Sequence, residues 1–196
     1  MLATHLFGAI RVLKGILPFF RCNRSGTVLN MSSILGQVAY PGGGVYSLCK
    51  FALEGASEAL AAELAPLGIR VVILEPGQFR TPLLKKEGVL GNAVVDNDYQ
   101  SSTVGQSRAF VQALVAKEEE LVAGDPKKLG DIVVEIVDRV GRGKELEQVL
   151  RVPVGTDALL LMDRKIHNMQ EELSKTRTLA NTCNFDGHTG GGVSAL

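Results

Sequence analysis

Two short, mainly apolar runs constrain this chain more than any other feature. Gly26-Thr27-Val28-Leu29-Asn30-Met31 lies between Ser25 and Ser32-Ser33, and Gly68-Ile69-Arg70-Val71-Val72-Ile73-Leu74 is stopped by Pro76-Gly77. Both are rich in β-branched residues and read as strands. Between them Val45 to about Pro66 is dense in Ala, Leu and Glu, the best helix formers. Strands separated by a long helix cannot form a hairpin and pair in parallel through a crossover. Strands this apolar imply a parallel sheet covered on both faces. A third strand is expected at Gln148-Val149-Leu150-Arg151-Val152. Further helices are expected over 105–122, from Pro126 onward with Asp125 as cap, and from Asp157 to about Leu179. With 196 residues, 45% of them apolar, the chain can bury one core.

Before the first strand, Leu2, Leu6, Ile10, Leu13 and Leu17 recur at helical spacing, predicting an amphipathic helix that ends at Pro18 or soon after. Arg11, Lys14, Arg21, Arg24 and Lys50 all precede the first acidic residue, Glu54. An acid-poor amphipathic start is shared with mitochondrial transit peptides, but this apolar stripe is core-like. Arg11 and Lys14 interrupt the longest apolar run, so no membrane span is expected, and there is no polybasic cluster for a membrane surface. The 21 basic residues balance 21 acidic ones, so nothing draws the chain toward nucleic acid. Cys22, Cys49 and Cys183 show neither CxxC nor zinc-ligand spacing, which points to a reducing, cytoplasmic setting. Residues 78–104 show no clean period and suggest a lid. Residues 181–196 are Gly- and Thr-rich and suggest a flexible tail, in which Asp186 and His188 are too few for a metal site.

Parallel α/β sheets bind ligands beyond the carboxyl ends of their strands. Ser32 and Ser33 end the first strand, and Pro76-Gly77 ends the second. Tyr46 begins the intervening helix, with Lys50 one turn along on the same face. A tyrosine with a pKa of about 10 is a poor base at neutral pH, but a nearby ammonium favours its phenolate. The grouping suits proton transfer at a substrate oxygen, with a serine hydroxyl hydrogen-bonded to that oxygen and hydride exchanged with a nicotinamide. Taken singly, each element also has a plainer reading. Ser-Ser makes turns and caps, Pro-Gly makes turns, and Lys50 with Glu54 is a possible solvated helix pair.

Together, Asn30-Met31-Ser32-Ser33, Tyr46-Ser47-Leu48-Cys49-Lys50 and Glu75-Pro76-Gly77 resemble the catalytic half of the short-chain dehydrogenase/reductase family. Ser33 precedes Tyr46 by thirteen residues and Tyr46 precedes Lys50 by four. The resemblance covers about residues 2–82, and its texture is similar to reductases of fungal secondary-metabolite pathways. It implies a Rossmann-like, doubly wound parallel sheet over residues 1–180. It also implies an NAD(P)-dependent oxidoreductase that interconverts a carbonyl and a secondary alcohol. By this resemblance Tyr46 exchanges the proton and Ser33 steadies the oxygen. Lys50 lowers the tyrosine pKa and holds the nicotinamide ribose, and Phe79 and Thr81 meet the cofactor amide. NADP is preferred slightly over NAD, and no metal is implied. The lid, with Val38, Ala39 and Leu83, would select the small-molecule substrate, and their apolar character hints at a hydrophobic one. The helices at 2–20 and 45–66 would pair across a two-fold axis, in a homo- or hetero-oligomer, where Gly55, Ala56, Ala61 and Ala62 permit close packing.

Two departures accompany the resemblance. His5 stands 28 residues before Ser33, where the family usually has an asparagine that completes a proton relay through the lysine. It either substitutes there or is a structural capping residue. None of the 22 glycines forms a Gly-rich phosphate turn after a predicted strand, and Gly141-Arg142-Gly143 follows a helix. The expectation is an N-terminally truncated form of the fold that lacks its first four strands and leaves the strand at 26–31 with an open edge. The alternative function is a catalytically impaired family member that serves as an interaction subunit.

Overall fold

The computed structural model describes residues 1–83 and 97–185. Three strands, β1 (Gly26–Met31), β2 (Ile69–Pro76) and β3 (Arg151–Val154), form one parallel sheet in the order β1-β2-β3. Val28 lies opposite Val71, Met31 opposite Leu74, and Leu74 opposite Val152. The first two strands fall where the apolar runs predict. The third begins at Arg151 rather than Gln148, because Val149 and Leu150 pack against the core as the chain approaches the sheet. Pro153 cannot donate to a ladder and suits this position, since among the described residues β3 pairs only with β2.

Side-chain alternation along β2 divides the core into two layers. Ile69 and Val71 join Val28 of β1 and Leu64 on one face, packed by Leu13, Leu17 and Phe20. Val72 and Leu74 join Ile136 and Val152 on the other, packed by Leu129, Ile132 and Val133. Thus α1 (Ala9–Asn23) and α2 (Gly44–Leu64) cover one face, and α6 (Pro126–Asp138) covers the other. Asp125 caps α6, its Oδ1 accepting from Lys127 N at 2.8 Å, with Pro126 at the first helical position as expected.

Pro18 does not end the first helix. A π-helical turn, Ala3–Gly8, leads into α1, which runs through Pro18 and stops at Arg24 in the left-handed region. An interior proline costs about 3 kcal/mol or more. Leu13, Leu17 and Phe20, on either side of it, pack on the core and offset that cost. The helical stretch Ala3–Asn23, with mean hydropathy 1.2, is long and apolar enough to cross a membrane by length and composition, contrary to the expectation drawn from Arg11 and Lys14. Its apolar stripe nevertheless packs on the sheet, which accounts for the apolarity within a folded domain.

The helical pattern expected at 105–122 divides at Lys117 into α4 (Thr103–Ala116) and α5 (Glu118–Leu121). Ser102 caps α4, its Oγ accepting from Val104 N at 3.2 Å. The expected lid at 78–104 is therefore not irregular throughout, because α3 (Asn97–Gln100) and the start of α4 lie inside it; residues 84–96 are outside the described residues. The last helix, α7, spans Thr156–Asn181. The chain divides into two compact units, Met1–Met162 and Asp163–Leu196, a boundary earlier than residue 180. The second unit carries an exposed His167–Glu171 pair at 3.5 Å, and most of the expected tail, 186–196, is outside the described residues.

Candidate active site

Ser33 leaves β1 in extended conformation and caps a single 3-10 turn, Ile34–Gly36. Its Oγ accepts from Leu35 N at 3.2 Å. The same hydroxyl donates to Pro76 O at 3.5 Å, joining the end of β1 to the end of β2. Gly43 permits the sharp entry into α2, because a Cβ there would meet the Tyr40 ring at 2.6 Å. One turn into α2, Tyr46 is half-buried, and Lys50 follows it, only 6% exposed.

These groups line one cleft of about 720 Å³, together with His5, Phe79 and Thr81. The residues expected from the sequence for catalysis and cofactor, Ser33, Tyr46, Lys50, Phe79 and Thr81, all line it. Leu83 also lines the cleft, whereas Val38 and Ala39 are not among its lining residues. The His5 ring stands edge-on to the Tyr46 ring, centroids 5.5 Å apart. Thr81 Oγ1 accepts a long bond from Leu83 N, at 3.4 Å. Gly77, at the turn, has no room for a Cβ because the Asp157 carboxylate fills that space and accepts from Gln78 N at 2.7 Å.

The electrostatics differ from expectation in one respect. Burial pushes the Tyr46 phenol above its ordinary value, and its hydrogen bond with Ser33 pulls the other way. The Lys50 ammonium is bonded to the strand end. Its Nζ donates to Met31 O at 2.8 Å and lies 5.7 Å from the centre of the Tyr46 ring. Burial also lowers the Lys50 pKa, against the pull of Cys49 and Glu54. For His5, burial first and then the Lys50 charge lower the pKa, so the imidazole is neutral near pH 7.

One buried group was not read from the sequence. Glu54 was expected as a possible solvated partner of Lys50, yet it is 3% exposed and bonded to Arg151 Nε at 3.1 Å. Glu75 is fully buried beside it. The sequence holds only a partial signal, a glutamate near the end of a mostly apolar strand, which needs a partner if buried but does not identify that partner.

The family model for short chain dehydrogenase matches residues 1–89, the segment that carries Ser33, Tyr46, Lys50 and the Pro-Gly turn. A short-chain dehydrogenase from Streptomyces avermitilis superposes with a TM-score of 0.75 at 31% identity, covering 94% of this chain and 62% of its own. The chain belongs to the short-chain dehydrogenase/reductase family. Among curated family relatives, 3-ketodihydrosphingosine reductase of Bacteroides thetaiotaomicron is 36% identical over 69% of this chain and 48% of its own length. Oxidoreductase BOA17 of the fungus Botryotinia fuckeliana is 34% identical over 80% of this chain and 52% of its own. The chain thus spans about half the length of the curated relatives it matches. A Burkholderia cenocepacia short-chain dehydrogenase in complex with NADP shares the fold, with a TM-score of 0.51 at 20% identity over 89% of this chain and 56% of its own. Family members bind NAD or NADP. The donor set fits the nicotinamide end of such a cofactor, with Lys50, Tyr46 and Thr81 as polar partners and Phe79 as an apolar wall. Among the described residues no glycine-rich turn follows a strand to take the pyrophosphate.

Proposed function

We propose that the cleft is the proton-transfer centre of an NAD(P)-dependent oxidoreductase that reduces a carbonyl to a secondary alcohol. The observation that carries this reading is the convergence of Ser33, Tyr46 and Lys50 on one cleft, with the phenol held in its protonated form. A bound nicotinamide supplies the hydride. The single Ser33 Oγ hydrogen, held by Pro76 O in the free protein, turns to the substrate oxygen, which is then placed to receive the Tyr46 proton as its charge develops. The ammonium of Lys50, anchored on Met31 O, stabilises the phenolate left behind and lies within reach of ribose hydroxyls. Neutral His5, edge-on to Tyr46, is able to return a proton and is the relay group in place of an asparagine. Phe79 and Thr81 hold the carboxamide end of the cofactor, and NADP is preferred. Apolar walls at Leu13, Leu29 and Leu83 suit a hydrophobic substrate, and a role in secondary metabolism rests on the family resemblance alone.

The proposal places the enzyme in the cytoplasm, a setting supported by its three unpaired cysteines. It assembles through the first helices and α2, where Val45, Leu48 and Phe51 form an exposed apolar stripe.

The test is NADPH oxidation by the full chain against a panel of apolar ketones and aldehydes. Tyr46→Phe removes the proton donor and is expected to lower kcat about 10²–10⁴-fold. Ser33→Ala lowers kcat by a smaller factor. Turnover unchanged in Tyr46→Phe would exclude this chemistry.

A further inference from the structure

We infer that Gln37 is a positioning residue for Ser33, acting by clasping two buried carboxyls, Glu54 and Glu75, behind the active site. This rests on the role given to Ser33 above. Gln37 is the residue that ends the 3-10 turn capped by Ser33, and its N–H donates to Ile34 O at 3.0 Å. Its side-chain Nε2 donates to Glu54 Oε2 at 3.1 Å and to Glu75 Oε1 at 3.0 Å. Glu54 sits one turn beyond Lys50 on α2, and Glu75 immediately precedes Pro76, whose carbonyl accepts from Ser33. The clasp therefore fixes both ends of the Ser33–Pro76 hydrogen bond. It ties the turn that carries the hydroxyl to the strand end that carries its acceptor.

Charge decides when the clasp holds. Two carboxylates, 3% and 0% exposed, face one amide and one guanidinium. Arg151 of β3 bonds Glu54 and also the exposed Glu58, and its Nε lies 3.9 Å from Glu75 Oε1. Lys50 is the other charge near Glu54, committed to Met31 O. Burial and the neighbouring Glu54 raise Glu75 to about 7, against hydrogen bonding from Gln37 and the charge of Arg151. Below that pH Glu75 is protonated, and both acids accept from Gln37. Above it, two adjacent buried anions repel, and the amide cannot compensate both. Glu54 Oε1 and Glu75 Oε2 have no hydrogen-bond partner, so the pair has no reserve of donors with which to absorb a second charge.

The experiment reads amide hydrogen exchange in the full chain, without substrate or cofactor, in the native protein, Gln37→Leu and Glu75→Gln. The reporters are Leu35 N, which donates to Ser33 Oγ, and Gly36 N, which donates to Ser33 O at 2.8 Å. At pH 6, Gln37→Leu is expected to speed exchange at Leu35 and Gly36 at least tenfold while Val71 and Val72 keep their protection. In the native protein the same two amides lose protection from pH 6 to 8.5 beyond the intrinsic rate change, and Glu75→Gln, near-isosteric with the protonated acid, abolishes that loss. Unchanged exchange at Leu35 and Gly36, or a uniform rise that includes β2, overturns the clasp. Turnover at pH 6 then tests positioning, with kcat falling at least tenfold in Gln37→Leu and KM changing less than twofold. A loosened turn with unchanged kcat, in a chain that Ser33→Ala impairs, overturns the positioning role. If Ser33→Ala and Tyr46→Phe leave turnover intact, the catalytic reading fails separately, and with it the role assigned to Gln37, while the exchange data still decide whether the clasp exists.

Discussion

Tyr46 holds the proton that the proposed reduction requires. A phenol raised by burial keeps that proton through the neutral range, so the donor form is the one present. The folded chain binds this proton more tightly than the unfolded chain does. Its contribution to stability is therefore present below the ordinary tyrosine pKa of about 10 and is lost as pH rises through the higher folded value. A spectrophotometric phenolate titration, taken as the difference between the native protein and Tyr46→Phe, should place Tyr46 above free tyrosine; a midpoint below 10 would contradict the burial argument. Gly36 is constrained in a different way. A Cβ there would lie 2.7 Å from Ser32 Oγ and 2.9 Å from Glu54 Cγ, both buried. Gly36→Ala should cost about 1–3 kcal/mol through overpacking, read as a shift in the urea midpoint at constant slope. Ser33, Tyr46 and Lys50 were legible because their spacing survives in one dimension. Glu75 was not, because the sequence of β2 alone does not show that Arg151 comes to rest beside it.

At the scale of elements, α1 carries the ambiguity between an apolar span and a core helix, and its two faces separate the readings. Leu17 packs against Val28, Leu64, Ile69 and Val71, whereas Phe19 is 62% exposed. Leu17→Ser should destabilise by about 2 kcal/mol, and Phe19→Ser should change stability by less than about 0.5 kcal/mol, both measured by thermal unfolding. Equal effects would indicate that the stripe does not face the sheet. The periodicity of Leu6, Ile10, Leu13 and Leu17 was sufficient to identify the inward face. It was insufficient to place the end of the helix, because tertiary packing of Phe20 outweighed the local rule for Pro18. The shift of β3 by three residues has a similar cause. Val149 and Leu150 are as apolar as strand residues, and only their packing on the two core layers distinguishes an approach segment from a ladder.

For the whole molecule, a balanced net charge and a parallel sheet leave apolar contact as the main force for the proposed self-association. Val45, Leu48 and Phe51 lie three residues apart on the exposed side of α2, with exposures of 64%, 54% and 42%. Leu48→Arg should lower the sedimentation mass without changing the circular-dichroism spectrum. A mass unchanged from that of the native chain would remove this face from the assembly. The sheet, its parallel sense and the cleft at the strand ends were readable from the order of strands and helices. The excursion after Pro82 was less so, since α3 and α4 begin where composition suggested irregular chain.

Arg151 also bears on how the molecule comes together. It joins Glu54 across 97 residues of sequence, and it enters the sheet only as the first residue of the last strand. Contacts of such separation carry a loop-closure cost and form late. During synthesis Ser33, Tyr46 and Lys50 leave the ribosome long before the cation that offsets the acids behind them. A nascent chain ending before residue 151 would lack the guanidinium that faces Glu54 and Glu75, so the acids behind the proposed site gain their cation only when synthesis has passed β3.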